Sequence, residues 1–224
     1  MRQSFLVKVL IASVLLFSTT GCVDIFNNFL FDDEEDVDPQ VYIDQYFSQE
    51  LQDKANTAKD VSYLTDEEKK VIFLCNLARL DGKKFADALF DDLRDSKNSY
   101  EKSLVETLDT TKNLPMLKPN EQLCKAAAFH AEDIGANGLV QHNSSDGTPT
   151  FTRIAKYYKG TAMGENISSG YKEAIFIMCQ LLIDDGVPSL GHRKNILSRL
   201  YTKIGTAIRP HKKYDYCCVQ DFSN

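Results

Sequence analysis

The sequence lacks several features that define large classes of protein. Its 224 residues contain no tryptophan, and no cluster of lysine or arginine offsets the formal net charge of −6. The basic surface of a nucleic-acid-binding protein is therefore missing, so no nucleic acid is expected as a partner. No Cys-x-x-Cys pair occurs, which removes the usual signal of a zinc finger or a thioredoxin-like redox site. No repeat is evident, and the 43% hydrophobic content suffices for the core of one domain.

The apolar run near the amino terminus falls short of a membrane span. Residues 9–17 are almost wholly apolar, but a helix that crosses a bilayer needs roughly 20 such residues. The run follows Arg2 and Lys8 and precedes small residues that end at Gly21. This order is typical of a signal peptide, which we place at residues 1–21.

Cys22 follows that signal directly. Small residues before a cysteine at this point resemble a bacterial lipoprotein cleavage site, although Thr19 stands where leucine is usual. A processed lipoprotein carries acyl chains on this cysteine, and several chains hold a protein stably on a membrane. We therefore expect an extracytoplasmic lipoprotein, periplasmic or at the cell surface of a bacterium, with the membrane as a partner through Cys22. An incidental cysteine after an ordinary secretory cleavage site is the alternative.

Residues 22–62 show no sustained hydrophobic periodicity. They include an acidic run from Asp32 to Asp38, and like charges in such a block repel one another and resist collapse. We predict a flexible acidic tether over residues 22–62, with a solvated loop as the alternative.

Residues 63–224 carry the signals of a folded domain. Thr65 and Glu68 form a capping-box pattern at the start of a helix. Apolar spacing predicts helices over about 65–82, 120–137 and 172–183, one near Gly191 with Ser189 as a candidate cap, and two short amphipathic helices within 83–113. β-forming residues predict an antiparallel hairpin over 203–209 and 214–222. Helices and strands do not alternate as regular βαβ units, so the predicted class is α+β, with helices packed on a sheet.

Cys217 and Cys218 are neighbours in the last predicted strand. Their side chains should point to opposite faces of the sheet, so we expect no disulfide between them. Most cysteines of this chain are instead expected to be buried and to behave as small hydrophobic residues.

Three polar segments contain His142, Glu165 and His192. Two neutral imidazoles and a carboxylate can bind a divalent metal such as zinc and leave a position for water or a ligand. Without a metal, the same side chains would form the floor of a polar cleft. Each histidine could instead stabilise a turn.

The remaining histidines and serines have simpler interpretations. His130 lies on an apolar helix face, where we expect a buried, hydrogen-bonded structural residue, whereas His211 lies in a loop and is expected to be solvated. Ser144 and Ser145 adjoin His142, but no strand-turn-helix elbow surrounds them, which rules against a serine hydrolase.

The order of several motifs is more specific than any one of them. The motifs are Leu123 to Asp133, Gln141 to Gly147, Arg153-Ile154, Gly164-Glu165-Asn166-Ile167, Gly191-His192-Arg193-Lys194-Asn195-Ile196-Leu197, Ile204-Gly205 and Val219-Gln220-Asp221-Phe222. Together they resemble the CAP superfamily of cysteine-rich secretory proteins, antigen 5 and pathogenesis-related proteins, which includes many bacterial secreted domains. Asn76 and Arg79 extend the resemblance to the first helix, so that it covers about residues 64–224.

The resemblance implies a three-layer α-β-α sandwich with a cleft of two histidines and two acids. It matches His142 and His192 to the histidine pair, and Glu165 to the acid of the Gly-Glu-Asn motif. In family members the second acid follows a tryptophan, which this chain lacks; Asp184 is the nearest candidate, with Asp185 behind it. Both could instead be exposed turn residues. Residues 83–113 exceed the corresponding family connection and form a helical insertion, whose role is a lid, a partner surface or packing.

Three functions follow from the resemblance, since CAP domains are associated with small amphiphiles, divalent cations and, in some reports, proteolysis. The first is a lipid-anchored extracytoplasmic module that binds a small apolar ligand or an envelope component, with His142 and His192 able to hold zinc or another divalent cation. The second is a metal-dependent hydrolase with Glu165 or Asp184 as the base. The third is a surface adhesion module that uses the insertion. The missing tryptophan and the uncertain second acid disfavour the enzyme.

Overall fold

The computed structural model describes residues 38–224. The predicted signal peptide, the predicted lipidation site Cys22 and most of the acidic run lie outside the described residues. Within residues 38–224, no helix combines the length and the apolar content that a membrane crossing requires.

Helices and one sheet make up this part of the chain. The helices are α1 (Gln40–Tyr46), α2 (Gln49–Ala55), α3 (Asp66–Leu80), α4 (Gly82–Leu89), α5 (Ser99–Thr110), α6 (Glu121–Asn137), α7 (Thr150–Ile154), α8 (Ala174–Ile183) and α9 (Gly191–Ile196), with a 3₁₀ turn at Asp91–Asp95. The strands are β1 (Lys118–Pro119), β2 (Met163–Ser169), β3 (Lys203–His211) and β4 (Asp215–Ser223). They form one sheet in the order β1-β3-β4-β2, in which only the β1-β3 pair is parallel.

The capping box of the sequence is confirmed at the first long helix, and the second ends where the sequence predicts. At the start of α3, the Thr65 hydroxyl accepts from the Glu68 amide at 3.3 Å, and the Glu68 carboxylate accepts from the Thr65 amide at 2.8 Å. Helix α6 ends at Gly138, whose left-handed conformation favours glycine. The β3-β4 hairpin is confirmed as well, whereas strand β2, around the Gly-Glu-Asn motif, was not predicted.

Helices cover both faces of the sheet. Helix α6 packs on one face, where Ala127, Ala131 and Ile134 contact Ile167 and Val219. Its approach is so close that a Cβ atom at Gly205 would overlap the backbone of α6, so only glycine fits there. On the other face, the Gln220 amide lies against Cys75 of α3 and Met178 of α8. The three-layer α-β-α sandwich predicted from the resemblance is confirmed.

Cys217 and Cys218 lie in different layers. The Cys217 thiol contacts the Ala131 carbonyl of α6 at 3.4 Å, whereas Cys218 belongs to the core on the opposite face. Burial raises the pKa of the Cys217 thiol to about 11 and holds the pKa of Cys218 well above its ordinary value. Both behave as small buried hydrophobic residues, as expected, and no disulfide joins cysteines within residues 38–224.

The tether predicted through residue 62 is wrong from Gln40 onward. Helices α1 and α2 pack on the domain through Ile43, Phe47 and Ala55, all buried. The loop after α2 is fixed by Thr57, whose hydroxyl donates to the Leu117 carbonyl at 2.7 Å, and by Asn76, whose side-chain amide donates to the Ala55 carbonyl at 2.9 Å. Each helix has only seven residues and buries few apolar side chains, too few to produce a recognisable periodicity.

The insertion is part of the core. The two predicted short helices are α4 and α5, and their apolar residues Phe85, Leu104 and Leu108 are fully buried. Outside them, the Arg94 guanidinium bonds Asp91 and Asp109, each at 2.9 Å, and also bonds Asp87. Packing, rather than a lid, is the role that this arrangement supports.

Candidate functional site

Glu165 anchors the first half of the site. It lies on β2 directly opposite Asp221 of β4, so that both side chains point to the α6 face. One Glu165 oxygen, Oε1, lies 2.9 Å from Nδ1 of His142, and the other accepts from the Arg153 guanidinium. An ionised carboxylate only accepts, so Nδ1 of His142 carries the proton and donates.

Arg153 also fixes the loop that carries His142. Its guanidinium donates to the His142 carbonyl at 2.8 Å, and the Thr150 hydroxyl donates to the same oxygen at 2.8 Å. The backbone of His142 is held while its side chain remains 54% exposed. A fixed, accessible imidazole is the arrangement that a ligand-binding histidine requires.

Asp184 and His192 form the second half. Asp184 ends α8 in the left-handed region, with φ of 60°. Its Oδ1 accepts from Nδ1 of His192 at 2.7 Å, and its Oδ2 accepts from the Arg193 amide at 3.1 Å. Asp184 is buried, so the alternative of an exposed turn residue is wrong for it. Asp185 instead accepts from Asn98 of the insertion at 3.2 Å.

The start of α9 differs from the prediction. Leu190, not Ser189, occupies the capping position, with φ of 51° and no side-chain cap. The anchor of this short helix is the buried side chain of Arg193, which donates to the carbonyls of Leu182 and Ile183 at 2.6 and 2.7 Å. The same guanidinium donates to Ser103 and Tyr100 of α5, each at 2.9 Å. The insertion therefore helps to hold the segment that contains His192.

Asparagine side chains connect the two halves. Asn166 follows Glu165 on β2, and its amide donates to the His192 carbonyl at 3.2 Å. In return, the Asn195 amide donates to the Glu165 carbonyl at 3.2 Å and to the Asn166 side chain at 2.9 Å. Both histidine-carboxylate pairs thus belong to one hydrogen-bonded network between β2 and α9.

A second acid is buried beside Glu165. Asp221 is fully buried, and Glu165 is the hydrogen-bond partner available to its carboxyl group among the described residues. Burial, and then the charge of Glu165, raise the pKa of Asp221 well above its ordinary value, against the opposing effect of Arg153. This shift favours the protonated form of Asp221, in which the charges of Glu165 and Arg153 are paired with each other.

His130 completes this buried group. Its Nε2 lies 3.0 Å from the Gln141 carbonyl and 3.8 Å from the Glu165 carboxylate. Burial lowers the pKa of His130, with Glu165 opposing it, so the ring is neutral and donates from Nε2. The predicted structural histidine is confirmed. We name His130, Arg153, Glu165 and Asp221 the buried cluster.

The prediction for His211 is wrong. The side chain is buried, its Nε2 bonds the Leu139 carbonyl at 2.9 Å, and its Nδ1 accepts from the amides of Lys213 and Tyr214, each at 3.1 Å. The imidazole therefore closes the β3-β4 turn over the end of α6. It takes no part in the site.

Sequence reasoning assigned no role to Arg153 or Asp221, although both stand in the recognised motifs. One signal was available for Asp221: it follows an almost wholly apolar stretch of a predicted strand, where a carboxyl group has to find a special environment. Arg153 gave no such signal, since its short helix α7 has only five residues.

The imidazoles present one free nitrogen each. Because Nδ1 of His142 and of His192 donates to a carboxylate, Nε2 carries the lone pair that can bind a cation or accept a proton. Carboxylates placed behind histidines in this way orient metal ligands in other proteins. Glu165 and Asp184 are both buried and already bonded, so they fit this supporting role better than direct ligation. Within residues 38–224, no three His, Cys, Asp or Glu side chains are grouped to hold a metal.

A three-layer α-β-α sandwich with two accessible histidines, each bonded to a buried carboxylate, defines a recognisable class of extracellular domain. The family model described as "CAP: Cysteine-rich secretory protein family" matches residues 74–222. This range exceeds half of the chain, and the protein belongs to the CAP family.

Individual relatives cover the chain less completely. The uncharacterized protein YkwD of Bacillus subtilis (strain 168) is 31% identical over 116 residues, which are 49% of this chain and 42% of that protein. The chain thus spans about two fifths of the curated relative that it matches.

Solved structures of the same kind are also similar. An extracellular protein with an SCP domain from Bacillus anthracis str. Ames aligns at a TM-score of 0.43 and 21% identity, covering 63% of this chain and 42% of that one. Venom allergen-like protein 4 of Schistosoma mansoni aligns at a TM-score of 0.48 and 15% identity, covering 71% and 89%.

Proposed function

We propose that this protein is a lipid-anchored, extracytoplasmic CAP-domain module that binds a small apolar ligand or an envelope component beside His142 and His192. The observation that carries the proposal is the pair of imidazoles, each fixed through Nδ1 by a buried carboxylate with Nε2 left available. Such orientation costs little on binding, because the side chains are already ordered.

Two exposed apolar residues lie close to the first histidine, or to its hydrogen-bond partner Thr150, in the sequence. Val140 and Phe151 are 53% and 56% exposed, and they lie two residues before His142 and one residue after Thr150, which bonds the His142 carbonyl. Exposed large apolar residues next to a polar anchor suit an amphiphile, whose head group meets the imidazole while its apolar part covers the hydrophobic side chains.

A divalent cation such as zinc is part of the proposal. His142 and His192 would hold it through Nε2, and bound metal would supply positive charge for a polar or anionic head group. With two protein ligands rather than three or four, the affinity should be moderate and the ion should keep water in its coordination shell.

The location rests on the amino-terminal sequence. A basic start, a short apolar run and small residues before Cys22 support export and acylation. Metabolic labelling with an alkyne fatty acid should mark the wild-type chain and leave Cys22→Ser unlabelled. Equal labelling of both would remove the anchor from the proposal.

The site itself is tested by calorimetric titration with zinc. The double variant His142→Ala/His192→Ala should lose binding, whereas Lys194→Ala, an exposed change two residues from His192, should keep it. Zinc binding that is unchanged in the double variant would remove the metal. A fluorescent fatty acid titrated into the same three proteins tests the apolar ligand, and Phe151→Ser should weaken its binding if the two exposed apolar residues contribute.

The two alternative functions are less well supported. A hydrolase needs a carboxylate free to act as a base beside its water, but Glu165 and Asp184 are buried and fully engaged. An adhesion module would present the insertion, whose apolar side chains face inward; its deletion would unfold the domain rather than remove a separate surface.

A further inference from the structure

A polar pocket lies outside the part of the chain that matches the family model. It has a volume of about 570 Å³ and is lined by residues of α1, α2, the loop after α2 and the first part of α3, from Gln40 to Phe73. The family match starts at residue 74. The volume falls within the roughly 300–1,000 Å³ typical of small-molecule sites.

The side chains around this pocket balance in charge. Its walls include three aspartates and three lysines, which are Asp44, Asp53, Asp66, Lys59, Lys69 and Lys70. Four amide side chains join them, and Phe73, itself largely buried, is the apolar side chain of the lining. Such a wall offers little to a lipid and no net attraction to an ion.

Part of the wall is ordered before any ligand arrives. The buried amide of Gln52 donates to Asp44 at 3.0 Å and to the Phe47 carbonyl at 2.9 Å, and the Gln40 amide donates to Gln52 and Asp44 at 2.9 and 2.7 Å. Both bonds to Asp44 fall on Oδ1, so lone pairs of Oδ2 remain for a ligand. Ordered side chains lose less entropy on binding than free ones do.

Hydroxyl groups fit this chemistry best. A hydroxyl donates to carboxylates and accepts from ammonium groups and amides, and the pocket offers all three kinds of partner side by side. A sugar carries several such groups on a neutral, compact frame. We infer that this pocket binds a neutral saccharide, at a site separate from the histidine cleft and made by the amino-terminal helices of this chain.

The test is saturation-transfer NMR and calorimetry on the full chain, with the neutral disaccharides maltose, cellobiose and diacetylchitobiose as probes. At least one should bind at millimolar concentration. Asp53→Ala/Lys59→Ala removes two exposed wall residues and should weaken binding about tenfold, or about 1.4 kcal/mol. Glu50→Ala/Lys54→Ala, a matched charge pair on α2 outside the pocket, should bind like the wild type.

Other outcomes would overturn the inference. They are the absence of binding by all three sugars, equal binding by the two variants, or binding of the zwitterion alanyl-alanine in place of sugar. Loss of sugar binding in His142→Ala/His192→Ala would move the site to the cleft. Because that double variant is expected to keep the sugar and lose zinc, failure of this inference and failure of the proposed function give different results.

Discussion

In both histidine-carboxylate pairs, a carboxylate bonds Nδ1 of the imidazole. The two pairs differ in the groups that hold the carboxylate. Glu165 is held by the side chain of Arg153 and lies beside Asp221, whose pKa is raised by burial, all within the protein interior. Asp184 accepts from the backbone amide of Arg193. Asp184 itself ends α8 and has a left-handed backbone conformation. The same imidazole orientation is thus produced once by a buried charge cluster and once by a local turn.

This difference determines what each pair depends on. Glu165 needs groups from α7 and β4 to meet at β2, and its charge must be neutralised without solvent. Asp184 bonds groups of its own segment, since His192 and Arg193 lie eight and nine residues further on, and the contact of this segment with the insertion is made by neutral groups of Ser103 and Tyr100. The first pair should respond strongly to loss of a distant charge and to pH, whereas the second should not.

Removal of the Arg153 charge should have the largest effect. Arg153→Met leaves Glu165 buried without its counter-ion, which costs about 3–5 kcal/mol of unfolding free energy in comparable buried pairs. Urea unfolding at neutral pH measures the loss. The double variant Arg153→Met/Glu165→Gln should recover part of it, and a loss below about 1 kcal/mol in the single variant would contradict the buried cluster.

Changes at Asp184 should cost less. Asp184→Ala removes two bonds and places alanine at a positive φ, for a loss of about 2–3 kcal/mol. Asp184→Asn keeps an acceptor and tolerates the left-handed conformation, so about 1 kcal/mol is expected. Urea unfolding gives both values, and nitrogen-detected NMR should show His192 losing its Nδ1–H form in the alanine variant. Equal losses in both variants would be inconsistent with the local origin of this pair.

The next largest effect is expected in the pH dependence of the free energy of unfolding, which should involve the Glu165 pair through Asp221 and not the Asp184 pair. The raised pKa of Asp221 means that the folded chain keeps a proton which the unfolded chain releases above its ordinary pKa near 4. Stability is therefore lost as the pH rises from about 4 toward the folded-state pKa, by at most about 1.4 kcal/mol per pH unit. Asp221→Asn should remove this slope in unfolding titrations. Asp184→Asn serves as the control, and a slope that persists in Asp221→Asn would refute a protonated Asp221.

Substitution of His130 should have the smallest effect, which is a change in the loss of stability at acidic pH. Its lowered pKa means that the unfolded chain binds a proton below about pH 6.5 while the folded chain does not, so stability falls as the pH falls through that range. His130→Gln keeps a donor for the Gln141 carbonyl and should reduce this loss, which is at most about 1.4 kcal/mol per pH unit. An identical acid dependence in wild type and variant would show that folding does not lower the pKa of His130.

Local signals explain which parts of the molecule could be predicted. The Thr65 capping box and the β3-β4 hairpin are encoded in neighbouring residues, and both were predicted. The His130 environment followed from an apolar helix face. Asp184 was selected through the resemblance, as the acid nearest to the expected second acidic position, and its bond to His192 supports that choice.

Long-range contacts explain the rest. His211 lies in a turn by its sequence, but its burial depends on the Leu139 carbonyl at the end of α6. Arg153 and Asp221 acquire their roles only when three separate segments meet at Glu165. The left-handed Leu190 at the start of α9 has no sequence signature, because leucine rarely adopts that conformation.

The adjacent thiols of Cys217 and Cys218 can be used to determine how the layers of the sandwich separate during unfolding. A thiol reagent can reach Cys217 once α6 separates from the sheet, whereas it can reach Cys218 only after the opposite layer loosens. Both thiols are kept protonated by burial, so reaction in the closed state is slow. The order in which mass spectrometry finds the two labels therefore records which layer of the fold detaches first.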